Sequence, residues 1–167
     1  DLVNPKESFS LAAGASVSKF YDGVAGGPVV VKSTNGVNIF ASEHRNYQTS
    51  FSETLGFPAN QFTTEYWFTR YAYNANVKTW ILVTNPSNSS ADVSIFIGNL
   101  TTAHDSFQLA AGQTAVKFYD AAQGGPVGGP VVVKSTNGVN IFASEHRNYQ
   151  TSFSETLGFL ANQLTTQ

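Results

Sequence analysis

The chain has 167 residues, 9 Lys+Arg against 11 Asp+Glu, 12% charged, 41% hydrophobic and 13% aromatic residues, and neither Cys nor Met. So few charges beside so many aromatics exclude disorder and favour a β-rich fold, while near-neutral charge with scattered lysines argues against nucleic acid or an anionic membrane surface as partner. Without Cys there is neither a disulfide framework nor a thiolate metal site, no apolar run approaches the roughly 18 residues of a membrane span, nothing near Asp1 resembles a signal peptide, and the missing initiator Met suggests a processed chain or a fragment.

From the N-terminus, ESFSLAAGASVSKFYD (Glu7 to Asp22) returns as DSFQLAAGQTAVKFYD (Asp105 to Asp120), 98 residues later. Gly26 to Thr64 then returns at Gly128 to Thr166 with an offset of 102 residues, and only Pro58/Leu160 and Phe62/Leu164 differ. The extra step comes from the doubled GGPV of Gly124 to Val131. A unit of about 100 residues is too long for a solenoid repeat and matches a β-sandwich module. On this reading residues 1–64 form a partial repeat and 65–167 a complete one.

Within the complete unit, EYWFTRYAY (Glu65 to Tyr73) and VKTWILVT (Val77 to Thr84) are aromatic and β-branched and read as strands around Asn74-Ala75-Asn76. After Asn85-Pro86-Ser87, ADVSIFI (Ala91 to Ile97) alternates Val93, Ile95 and Ile97 with polar or outward residues, the period of a strand buried on one face. Ser106 to Leu109 and Thr114 to Tyr119 follow as short strands around Gly112, and Gly124 to Pro130 reads as a loop that lacks the Lys-Ser/Thr of a phosphate-binding loop. Val131 to Ser135 and Val139 to Glu145 flank Asn137-Gly138, a hairpin signal repeated at Asn35-Gly36. Ser50 to Glu53 has capping-box spacing and predicts one helical turn. Seven short strands at this spacing predict an all-β fold, an antiparallel immunoglobulin-like sandwich in about one and a half tandem repeats. The N-terminal half-sandwich would then expose an apolar face and unpaired edges until a neighbour covers it.

At TEYWFTRYAYNANVKTWILVTNPSNSSADVSIFI and GPVVVKSTNGVNIFASEHRNYQTSFSETLGF the sequence resembles the tandem β-sandwich repeats of large, mostly uncharacterised bacterial secreted and cell-surface proteins. The resemblance covers nearly the whole chain. It implies an extracellular or cell-surface scaffold, adhesive or fibre-forming, with no catalytic residues and no cofactor.

Candidate chemical sites are sparse. Glu43-His44-Arg45 and Glu145-His146-Arg147 place acid and base side by side, yet neighbours on a strand point to opposite faces, so both read as packing motifs. His104 beside Asp105 lacks a nucleophile, and three histidines in unlike contexts do not build a zinc site. No enzyme is expected. Trp67, Tyr71 and Tyr73 are predicted on one side of their strand, with Tyr66 and Phe68 on the other, as an interface or as a stacking platform for glycans. Asn88-Ser89-Ser90 and Asn99-Leu100-Thr101 are glycosylation sequons. Two functions follow: a structural subunit of an extracellular fibre or surface appendage that assembles head-to-tail with copies of itself through shared strands, or a carbohydrate-binding or adhesin module of a larger surface protein.

Overall fold

The computed structural model describes residues 4–24, 26–123, 125–126 and 128–164. Gly124 and Val127 of the glycine-rich loop, and the Thr165-Thr166-Gln167 end of the second copy, lie outside the described residues. The protein is all-β and its strands pair antiparallel. In chain order they are β1 (Ser42–Tyr47), β2 (Ser50–Leu55), β3 (Glu65–Ala72), β4 (Val77–Thr84), β5 (Ala91–Ile97), β6 (Asp105–Leu109), β7 (Thr114–Lys117), β8 (Gly128–Ser135), β9 (Phe142–Tyr149), β10 (Ser152–Leu157) and β11 (Phe159–Leu160). Helical structure among the described residues is limited to short 3-10 turns such as Ala59–Gln61. None of these helices is long and apolar enough to cross a membrane.

Two sheets form the body, one ordered β11-β3-β8-β5-β6 and the other β10-β9-β4-β7, while β1 and β2 form a separate hairpin. Tyr66, Phe68 and Tyr71 of β3, Ile81 and Val83 of β4, Val93, Ile95 and Ile97 of β5, Val131 and Val133 of β8 and Ala143 of β9 make one buried cluster, so the two sheets share a core in sandwich-like fashion. The alternation expected for ADVSIFI holds: Ala91, Val93, Ile95 and Ile97 are buried. In β8, hydrogen-bonded to β3 on one side and β5 on the other, all three valines are buried: Val131 and Val133 face the shared core, and Val132, on the other face between exposed Pro130 and Lys134, stands in register with Trp67 and Phe96.

Several expectations are corrected. Asn137-Gly138 does not close a hairpin: β8 and β9 lie in different sheets, and the turn arches between them. Asn137 is used as an anchor, its Oδ1 accepting the Asp92 N–H at 3.2 Å and its Nδ2 donating to the Ser90 carbonyl at 2.9 Å, with Gly138 at φ 79°. Hairpins form instead at Tyr47–Ser50 and Tyr149–Ser152, where Gln48 and Gln150 take φ values of 52° and 51°. Gly128 to Pro130 belong to β8 rather than to a loop, and Gly129, at φ 120°, lies so close to Gly98 that an added Cβ would stand 2.5 Å from its Cα. The Ser50–Glu53 helical turn is strand β2, since its serines and threonine alternate with Phe51 and Leu55 in a period of two.

The largest difference concerns the first copy. Residues expected as strands between Ser8 and Ala41 form none, and no described residue from 4 to 41 is buried. Val31 is 59% exposed where Val133 is fully buried, and Ile39 is 46% exposed where Ile141 is fully buried. The reason is supply: strands β3, β4 and β5 are present once and are already paired with the second copy through β8 and β9.

Candidate interaction surface

At its turns the open copy keeps the geometry of the buried one. Gly14 and Gly112 have φ of 71° and 68°, and Gly36 and Gly138 have 78° and 79°. The Ala15 N–H bonds the Ala12 carbonyl at 3.1 Å, as that of Gln113 bonds Ala110 at 3.2 Å, and Ser33 Oγ donates to Asn35 Oδ1 at 2.9 Å as Ser135 Oγ does to Asn137 at 3.1 Å. An acid–lysine–tyrosine triad also recurs. Lys117 pairs with Asp105 at 3.0 Å and Tyr119 donates to it at 2.9 Å, while in the first copy Lys19 and Tyr21 both donate to Glu7. The hydrogen bonds from Lys19 and Tyr21 hold the Glu7 carboxyl below its ordinary value. Burial and then the bond to Asp105 push the Tyr119 hydroxyl up. The first copy is thus preshaped at its turns, with Val29, Val30, Val31, Val37, Ile39 and Phe40 exposed.

The hairpin of each copy carries a second recurring network. His44 Nδ1 meets Glu53 Oε2 at 2.8 Å and its Nε2 meets Asn46 at 3.1 Å; His146 meets Glu155 at 3.1 Å and Asn148 at 2.8 Å. Ser42 and Ser144 donate to the same two carboxylates, and each histidine stacks on the phenylalanine across the hairpin, Phe51 or Phe153, at 5.1 Å. These are cross-strand pairs set by register, and they explain why histidine and glutamate stand where they do without invoking catalysis. Arg147 pairs with Glu145 at 2.5 Å and donates to the Arg70 carbonyl at 2.6 Å. Burial pushes the Glu145 carboxyl up, against the opposing pull of Arg147.

The two hairpins touch. Phe153 and Glu155 on the edge strand β10 donate their N–H groups to Ser50 Oγ at 3.5 Å and Ser52 Oγ at 3.3 Å, so β2 covers that edge with hydroxyls. Arg45 Nη1 reaches Glu155 at 2.9 Å and Tyr47 meets Phe153 edge-on at 5.8 Å. Burial opposes ionisation of Glu155, but bonds from His146 and Ser144 and the charge of Arg45 outweigh it and hold the carboxyl below its ordinary value of 4.5. A depressed folded-state value adds stability above the unfolded one, and that stability is lost as pH falls through the folded value. Glu155→Gln is therefore expected to flatten the acid limb of stability measured by denaturant titration from pH 7 to pH 3, the gap between wild type and variant closing below about pH 4.

The predicted aromatic platform is not brought together. A register shift between Phe68 and Tyr71, a bulge in β3, turns Tyr71 into the core beside Tyr66 and Phe68. There its hydroxyl donates to the Tyr119 carbonyl at 3.0 Å and accepts the Tyr119 N–H at 2.9 Å. Trp67 is half-buried with Nε1 donating to Glu65 at 2.7 Å, and Tyr73 is half-buried against Phe118. Sequence reasoning missed a row of rings that runs from Tyr73 through Phe118, Trp80, His146 and Phe153 to Tyr47 with centroids 5.0–5.8 Å apart. Alternation in VKTWILVT, which puts Trp80 opposite Thr79 and Ile81, was the available signal. Its rings pack on one another, so the row braces the sheet against the hairpin. Both sequon asparagines are exposed, and Asn99 Oδ1 accepts the Thr101 N–H at 2.9 Å and its hydroxyl at 2.8 Å. His104 packs edge-on to Tyr119 at 4.6 Å. No protein-family model, curated protein or solved structure matches this chain.

Proposed function

We propose that this chain is a structural building block of an extracellular fibre or surface array, made of repeated sandwich modules of immunoglobulin-like size, in which the open first copy is completed by strands of a neighbouring unit. The observation that carries this reading is that one sequence, Val29 to Ala41 or Val131 to Ala143, is exposed in one place and core in the other while its turns are the same. The second copy specifies the complement: a strand set like β3, β4 and β5, which would supply main-chain hydrogen bonds and the facing half of a core. Each chain holds one such set and two copies that fit it. On this reading the completing set is contributed by a neighbouring repeat, joined covalently or docked.

The test is a chain extended at its N-terminus by a second Glu65–His104 segment placed directly before Glu7. Trypsin should then cut at Lys19 and Lys32 far more slowly than in the parent, and strand content by circular dichroism should rise toward two closed modules. Unchanged cleavage at both lysines would sink the reading.

A further inference from the structure

Strands β2 and β10 have the same sequence, Ser-Phe-Ser-Glu-Thr-Leu, yet meet through different sides. β2 presents its serine face, half-buried at Ser50, Ser52 and Thr54; β10 presents its edge, the N–H groups of Phe153 and Glu155. Residue numbers rise together across the contact, so the two strands run in the same direction. A contact between unlike sides of like elements is heterologous and leaves one side of each unused. On β10 the serine face, Ser152, Ser154 and Thr156, is exposed, with Tyr149 52% exposed beside it. On β2 the shared hairpin register turns the Phe51 and Glu53 N–H groups outward, and both side chains are exposed.

We propose that the Ser152–Ser154 face docks the Phe51–Glu53 edge of a second copy of this chain, repeating between molecules the contact that the two hairpins make within one. The occupant is identified by the internal contact itself: the surface that fits a serine face is the edge of this same hairpin. Two hydroxyls accept two edge N–H groups, and Tyr149 takes the place on Phe51 that Tyr47 holds on Phe153. The ion pair of the internal contact is not repeated, because Arg147, in the place of Arg45, is held by Glu145 and the Arg70 carbonyl. The intermolecular contact is accordingly weaker than the internal one. Each docked molecule offers a fresh serine face, so the contact extends into a filament rather than closing. It uses surfaces separate from the open apolar segment and does not depend on strand completion.

Sedimentation velocity of the full chain over a wide concentration range tests this, with three variants alongside. Wild type is expected to show a weight-average mass that rises with concentration. Ser152→Lys/Ser154→Lys, on exposed positions outside the internal contact, should remain at monomer mass with an unchanged melting temperature. Phe51→Pro, which removes an outward N–H from an edge strand that tolerates proline, should also remain at monomer mass. Val29→Lys/Val31→Lys, in the open segment, should still associate. A wild-type chain that stays monomeric throughout, or serine variants that associate as wild type does, would overturn the proposal. Association abolished by the valine variant alone would overturn it too, while leaving strand completion standing.

Discussion

Replacing Ile141 by Ala is expected to lower the free energy of unfolding by about 2–5 kcal/mol, while the same change at Ile39 stays within about 0.5 kcal/mol. The two isoleucines sit in identical sequence for more than ten residues on either side. Ile141 is fully buried in the shared core, and its backbone is held at both ends: its N–H donates to the Thr63 carbonyl at 2.9 Å and its carbonyl accepts the Tyr66 hydroxyl at 3.0 Å. Burial pushes that hydroxyl up to about 12, so it stays a donor across the working pH range. Truncation there removes apolar contacts and leaves a cavity. Ile39 is 46% exposed, so its methyls have little burial to lose. Urea denaturation of the two single variants reads the contrast directly. Equal losses at both sites would mean that the first copy is packed in solution, and would replace the open half-module with a closed one. In the chain extended by a second Glu65–His104 segment, Ile39→Ala should acquire the cost of Ile141→Ala.

Arg147→Ala should cost about 3 kcal/mol, the low end for a broken buried pair, since Arg147 keeps a third of its side chain in solvent. The loss falls mainly on Glu145, only 5% exposed, which would remain in the core without a counter-charge. Its carboxyl is already pushed above 4.5 by burial, and without the guanidinium it rises further. A carboxyl raised in the folded state loses stability as pH climbs from the unfolded value through the folded one, so the Arg147→Ala deficit should shrink toward pH 4 and be full at pH 7. Arg45→Ala, the same residue in the first copy, should cost no more than about 1 kcal/mol, because its side chain is 44% exposed and Glu155 retains His146 and Ser144 as partners. A deficit for Arg147→Ala that did not vary between pH 4 and pH 7 would mean that the pair is structural packing with no electrostatic share.

Particular residues show what was legible in advance. The alternation of Val93, Ile95 and Ile97 announces a one-faced strand, and Val131 to Ser135 reads as a strand; both are as expected, while the central place of that strand in its sheet is set by β3 and β5. Asn137-Gly138 announces a turn, and a turn is there, but whether the chain folds back beside itself or crosses to another sheet depends on β3 and β5 claiming both edges of β8. Tyr71 was expected beside Trp67 because strict alternation says so, and one bulge inverts it. The aromatic row was hidden for a similar reason. Its members come from β4, β9, β10, the residues just after β3 and β7, and the first copy, and no spacing in sequence brings them together.

The internal repeat separates the two kinds of determination within one molecule. By itself, the amino-acid sequence determined the turns at Gly14 and Gly112, the φ values near 51° at Gln48 and Gln150, the hairpin with its Ser–Glu–His–Asn network, and the acid–lysine–tyrosine triad, since all of these appear in both copies whatever surrounds them. They close through bonds across a turn or a hairpin, or through long polar side chains that reach one another in water, and need no apolar partner. Tertiary structure alone decided whether Gly-Gly-Pro-Val-Val-Val-Lys-Ser is a buried central strand or an exposed segment. A strand is completed by hydrogen-bonding groups on its two flanks and an apolar layer above it, and for this sequence all three come from Glu65 to Ile97, which the chain possesses once.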